Sequence, residues 1–99
     1  MGRKLREDPM LLTDLELELM KCLWEKGDLS VSVLQFQMVR NGNDTAYTTV
    51  RLILDRLTKH AICASKEIDG RYYYKPLISK EEIANRWVHH LSKKIFGKV

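Results

Sequence analysis

Three observations predict a single small domain, mainly α with one β-hairpin. Apolar residues recur at helical spacing in four separate stretches, and between the third and fourth the period drops to two. The pivot of that alternating stretch is Asp69-Gly70, a dipeptide that accepts the positive φ angles of a tight turn. Ninety-nine residues hold one modest core, and 44 % apolar with 30 % charged residues is an ordinary globular balance.

The first helix is predicted in "LLTDLELELMKCLWEKG". Thr13 and Glu16 have the spacing of a capping box, Leu12 can staple onto Leu17, and Leu17, Met20 and Trp24, flanked by Leu23, form the apolar stripe. Gly27 supplies a left-handed stop. The second helix follows Ser30 as N-cap, with Val31, Leu34 and Met38 on one face, and ends at the turn-forming "NGN". Its β-branched start and Phe36 would also suit a strand.

The third helix is expected to open at Thr45 and to bury Tyr47, Val50, Leu54 and Leu57, with Ile53 beside them. Its other surface carries Thr48, Thr49, Arg51, Leu52, Asp55, Arg56 and Lys59. "AICASKEI" and "RYYYKPL" then read as the two strands of the hairpin. Alternation puts Tyr72 and Tyr74 on the core side, with Arg71, Tyr73 and Lys75 opposite, and Pro76 ends the ladder. Ser79 and Glu82 open a fourth helix, whose stripe Ile83, Trp87, Leu91 and Ile95 runs almost to the last residue.

Charge is distributed unevenly. The chain is +4 overall, yet residues 7–39 hold seven acids against two bases, and the segments on either side are basic. That asymmetry points to a polyanion on one face, although many moderately basic domains bind nothing charged. No run is long and apolar enough to span a bilayer or to act as a signal peptide, so a cytoplasmic location and no membrane partner are expected. N-myristoylation at Gly2 would need Ser or Thr at position 6, where Arg6 stands. Cys22 and Cys63 read as buried thiols.

No catalytic residues, cofactor or metal site are expected. Neighbouring helical residues such as His89 and His90 point about 100° apart and do not offer the i,i+4 pair that a helix usually gives a metal. The acids Glu81 and Glu82 fit a helix start, and no nucleophile motif or phosphate-cradling glycine loop occurs. An enzyme is therefore not expected, nor is a small-molecule ligand evident.

Three helices, a hairpin and a further helix make the order of a winged helix-turn-helix domain. In such folds the helix after the turn lies in the DNA major groove and the hairpin, or wing, reaches the adjoining backbone. Short hydroxyls, a forked guanidinium and an apolar contact for the thymine methyl suit the outer face of such a helix. "LTDLELELMKCLWEKGDLSV", "AYTTVRLILDRLTKHAI" and "GRYYYKPL" resemble the penicillinase-repressor family of bacterial winged-helix regulators over roughly residues 11–96. The resemblance implies a dimeric transcriptional repressor on a double-stranded, dyad-symmetric DNA operator. It divides the chain into a basic N-terminal arm (1–10), a winged-helix DNA-binding domain (11–78) and a C-terminal helix (79–99). Because family members continue into a helical dimerisation region beyond the point matching Phe96, that helix is expected to be the start of a truncated one. The paired Cys-x-Cys motifs of copper-responsive members are missing, which leaves copper sensing unsupported.

Thr48, Thr49, Arg51 and Leu52 match positions of the family's recognition helix and are expected to touch bases or groove edges. The other possibility is a solvated face on which Arg51 pairs with Asp55 at i,i+4 and Leu52 packs under the hairpin. Arg56, Lys59, Lys66 and Arg71 are expected to contact phosphates, or else to be ordinary surface charge. Trp87, Leu91 and Ile95 are expected to form a two-fold dimer interface, unless Ile83 and Trp87 merely close the monomer core. The rival function is a winged-helix protein-interaction adaptor without specific DNA binding.

Overall fold

The computed structural model describes residues 8–97; the greater part of the basic arm lies outside them. Helix α1 (Asp14–Lys26) is followed by a two-residue strand β1 (Leu29–Ser30), helices α2 (Val31–Arg40) and α3 (Tyr47–Lys59), strands β2 (Cys63–Ile68) and β3 (Arg71–Pro76), and helix α4 (Lys80–Phe96). The sheet is antiparallel in the order β1-β3-β2. Strand β1 is absent from the expectation because two residues are too few to show a period. It exists because Leu29 and Ser30 pair with Tyr74 and Tyr73, far along the chain.

The capping box of α1 forms in full: the Glu16 N–H donates to Thr13 Oγ1 at 3.2 Å, and the Thr13 N–H donates to Glu16 Oε1 at 2.8 Å. Gly27 ends the helix at φ 88° and donates to the Leu23 carbonyl. The buried stripe differs from the expected one. Leu19, Met20 and Leu23 are fully buried, whereas Leu17 and Trp24 sit half-buried at its margin. Glu16, also buried, shares the core side, which a hydropathy pattern excludes for a carboxylate.

Ser30 has two tasks: its backbone pairs in the sheet and its Oγ accepts from the Val33 N–H at 3.3 Å, capping α2. Val31, Leu34 and Met38 are buried as expected. Helix α3 begins later than expected, at Tyr47 with Ala46 as N-cap and no capping side chain. The Thr45 carbonyl is instead held by Gln35 Nε2 at 3.1 Å, tying the turn to α2. Val50, Ile53, Leu54 and Leu57 are buried, but Tyr47 is exposed and does not belong to the stripe. The helix ends in a Schellman arrangement, with the Ile62 N–H on the Leu57 carbonyl and the Ala61 N–H on that of Thr58. Ala61 occupies the left-handed position, φ 60°, that glycine usually fills.

All four helices and the sheet contribute to one core cluster that includes Leu12, Met20, Leu34, Leu54, Ile62, Tyr74 and Ile83. Both cysteines are free and buried, and Cys63 Sγ lies 3.4 Å from Met20 Sδ. Three contacts dock the first half of α4: Ile83 is buried, Trp24 Nε1 donates to the Ile78 carbonyl at 2.9 Å, and Arg86 pairs with Asp8 at 2.8 Å. Desolvation opposes ionisation of Asp8, but the Met10 N–H and Arg86 outweigh it and hold the carboxyl below its ordinary value. Among the described residues no helix is long and apolar enough to cross a membrane.

Candidate nucleic-acid interface

Burying Val50, Ile53, Leu54 and Leu57 turns the opposite side of α3 outward. Thr48, Thr49 and Leu52 are all exposed there, Leu52 by 66 %. The leucine therefore does not pack under the hairpin, and its methyls are available to an outside partner. Asp55, Arg56 and Lys59 continue the exposed side toward the C-terminal end.

Arg51 is set apart from this group. It stands between α3 and β3, with its guanidinium carbon 5.3 Å from the Tyr72 ring centroid and its Nε 3.5 Å from Asp55 Oδ1. The Tyr74 hydroxyl donates to the same Asp55 oxygen at 3.2 Å. Helix α3 and strand β3 are thus joined by a chain of four side chains: Tyr72, Arg51, Asp55 and Tyr74. Burial, then the neighbouring Asp55 charge, pushes the Tyr74 phenol above its ordinary value. The expectation that Tyr72 is core is overturned: it is exposed and spends its ring on Arg51, while Tyr74 alone of the pair is buried. The Arg51–Asp55 pair was readable from i,i+4 spacing, but Tyr72 and Tyr74 carried no local signal of their partnership.

Arg56 has a partner inside the fold. Its Nη1 donates to Glu16 Oε2 at 3.2 Å, and Glu16 is 1 % exposed. An arginine expected to meet a phosphate therefore also bridges α1 to α3. Lys59 at the end of α3 is exposed.

On the wing, Lys66 pairs with Tyr73 and Ala64 with Lys75, so these side chains share one face of the sheet, on which Arg71 also lies. Glu67 pairs with Tyr72 and Ser65 with Tyr74 on the other face, the one turned to α3. Asp69 at φ 52° and Gly70 at φ 76° make the turn at the tip, and Arg71 follows it directly. Lys66, Arg71 and Lys75 are all exposed. Lys75 enlarges the basic set beyond the residues singled out from sequence.

The C-terminal stripe divides. Trp87 packs half-buried against the core cluster and, with Leu17, Trp24 and Ile83, lines a groove of about 880 Å³ between α1 and α4. Leu91, Ile95 and Phe96 stand exposed, Ile95 by 70 %. Among the described residues no group of His, Cys, Asp and Glu is arranged to hold a metal ion.

A helix-turn-helix braced by a three-stranded sheet, with one open helix face beside a basic hairpin, defines a winged-helix protein. The sequence matches the penicillinase repressor family over residues 12–99, and the chain belongs to that family. Its fold is similar to the DNA binding domain of the repressor BlaI, solved in solution, at 19 % identity over 78 % of this chain and 93 % of that one, TM-score 0.66. It is also similar to a MarR family protein from Bacillus stearothermophilus, at 20 % identity over 85 % of this chain and 59 % of that one, TM-score 0.61. A third likeness, to a possible transcriptional regulator from Methanosarcina mazei Go1, covers 89 % of this chain and 80 % of that one at 20 % identity, TM-score 0.51. At such identities the likeness is one of fold. No curated protein matches the sequence.

Proposed function

We propose that the protein is a cytoplasmic, sequence-specific DNA-binding transcriptional repressor that lays α3 in the major groove of its operator. The observation that carries the reading is the open face of α3: two threonines and a leucine exposed side by side on the second helix of a helix-turn-helix, in a member of a repressor family. Hydroxyls can serve either partner of a base pair, and leucine can cover a thymine methyl. Lys59, Lys66, Lys75 and Arg71 supply phosphate contacts that fix register and give salt-dependent affinity. Arg56 contributes there only through donors that its pairing with Glu16 leaves free.

The reading includes a homodimer on a dyad-symmetric operator, supported by the exposed Leu91, Ile95 and Phe96 beyond the docked part of α4. Trp87 belongs chiefly to the protomer and borders that interface.

The test is a fluorescence-anisotropy titration of the DNA upstream of the protein's own gene against a shuffled duplex, at about 50 and 200 mM salt. Preference for the upstream DNA that survives the higher salt supports the repressor. Absence of binding at either salt by a demonstrated dimer favours an adaptor that meets protein partners instead.

A further inference from the structure

We infer that Asp55 and Tyr72 are positioning residues that set which edge of the Arg51 guanidinium meets a DNA base, an inference that rests on the DNA-reading function proposed above. A guanidinium offers two edges for a bidentate contact, one through Nε and one Nη, the other through both Nη groups. In this molecule the first edge is closed: Nε is buried, lies 3.5 Å from Asp55 Oδ1, and makes no hydrogen bond among the described residues. One flat side is taken by Tyr72, whose ring centroid is 5.3 Å from the guanidinium carbon. The side chain as a whole is still 41 % exposed, which leaves the Nη groups as the donors for an outside ligand.

The set is anchored from the core. Tyr74, 2 % exposed, donates to Asp55 Oδ1 at 3.2 Å and holds the carboxylate; the carboxylate's charge faces Nε across 3.5 Å as an ion pair; Tyr72 sets the plane. Ordering a long side chain before binding removes an entropic cost that would otherwise be met on the DNA. The two Nη groups match the O6 and N7 acceptors of guanine. Because the fork is held from both α3 and β3, its aim depends on how the wing packs.

The experiment is a binding selection by the 99-residue chain from a duplex pool with randomised positions, followed by anisotropy on the selected duplex and on a shuffled one. The wild type is expected to select a site containing a guanine whose preference disappears in Arg51→Ala. Asp55→Asn and Tyr72→Ser are each expected to lose about tenfold of that preference while binding the shuffled duplex as before. Tyr72→Phe keeps the preference, because the ring and not the hydroxyl faces the guanidinium. In the Arg51→Ala background, Asp55→Asn costs nothing further. Circular dichroism melts establish that each variant is folded, and Asp55→Asn, at an exposed helical position and nearly isosteric, keeps the test open if Tyr72→Ser does not fold. Wild-type preference retained by Asp55→Asn overturns the inference, as does an equal loss from that substitution with and without Arg51. A wild type that selects no site removes the DNA-reading function, and this inference with it.

Discussion

Glu16 is a carboxylate in the core because two neighbours make it tolerable there. It accepts the Thr13 N–H at the start of α1 and the Arg56 guanidinium from α3, so one residue closes a helix cap and a helix–helix contact together. Arg56→Ala withdraws one of these partners from a buried charge, and a loss of about 1–3 kcal/mol in unfolding free energy is expected by urea titration. Replacement of exposed Lys59 by Ala should change the same titration little. Cys63 has a different consequence. Burial pushes its thiol up to about 12 from 9.0, so the folded chain keeps a proton that the unfolded chain gives up. The stability this represents is present in full below pH 9.0 and is lost as pH rises toward about 12. Tyr74, raised by burial and Asp55, acts in the same direction at the alkaline end. Urea midpoints measured from pH 8 upward should fall on this side, and Cys63→Ala should flatten the fall through its lower part.

At the level of elements, the end of α3 and the division of α4 are the informative features. A Schellman arrangement with alanine at φ 60° keeps a backbone conformation that costs L-residues with a Cβ about 1 kcal/mol. Ala61→Gly should therefore raise the melting temperature by several degrees, roughly 4–8 °C for about 1 kcal/mol in a domain this small. In α4, Ile83→Ala opens the core and should cost about 2–5 kcal/mol, whereas Ile95→Ala, at an exposed position, should leave a dilute sample's melting temperature unchanged. If the exposed half of α4 pairs two copies, Ile95→Ala instead weakens association in analytical ultracentrifugation. An unchanged association constant would remove Ile95 from the interface.

For the whole molecule, function follows from where charge sits relative to the open helix. The acidic segment 7–39 takes in α1, while the open face of α3 carries Thr48, Thr49 and Leu52 with Arg56 and Lys59 toward its C-terminal end, and Lys66, Arg71 and Lys75 are exposed on the hairpin that packs beside it. Arg51→Ala should weaken binding to the operator more than to random DNA. Arg71→Ala should weaken both alike and make the salt dependence shallower, as expected for one lost phosphate contact. Plots of log affinity against log salt for the two variants separate these roles.

Much of this architecture could be read along the chain. Helix starts at Thr13 and Ser30, the Gly27 stop, the Asp69-Gly70 turn and the buried residues of α2 and of most of α3 follow from contacts within a few residues, for which local pattern is sufficient information. So does the order of elements, and with it the winged-helix class. Partnerships across the chain were decided only by tertiary packing. Leu29 and Ser30 become a strand because β3 comes alongside, Tyr72 leaves the core for Arg51, and Glu16 enters it with Arg56. A hydropathy pattern assigns a residue to inside or outside by its own chemistry. A carboxylate that finds an arginine, or a tyrosine whose ring finds a guanidinium, is placed by the chemistry of a neighbour tens of residues away.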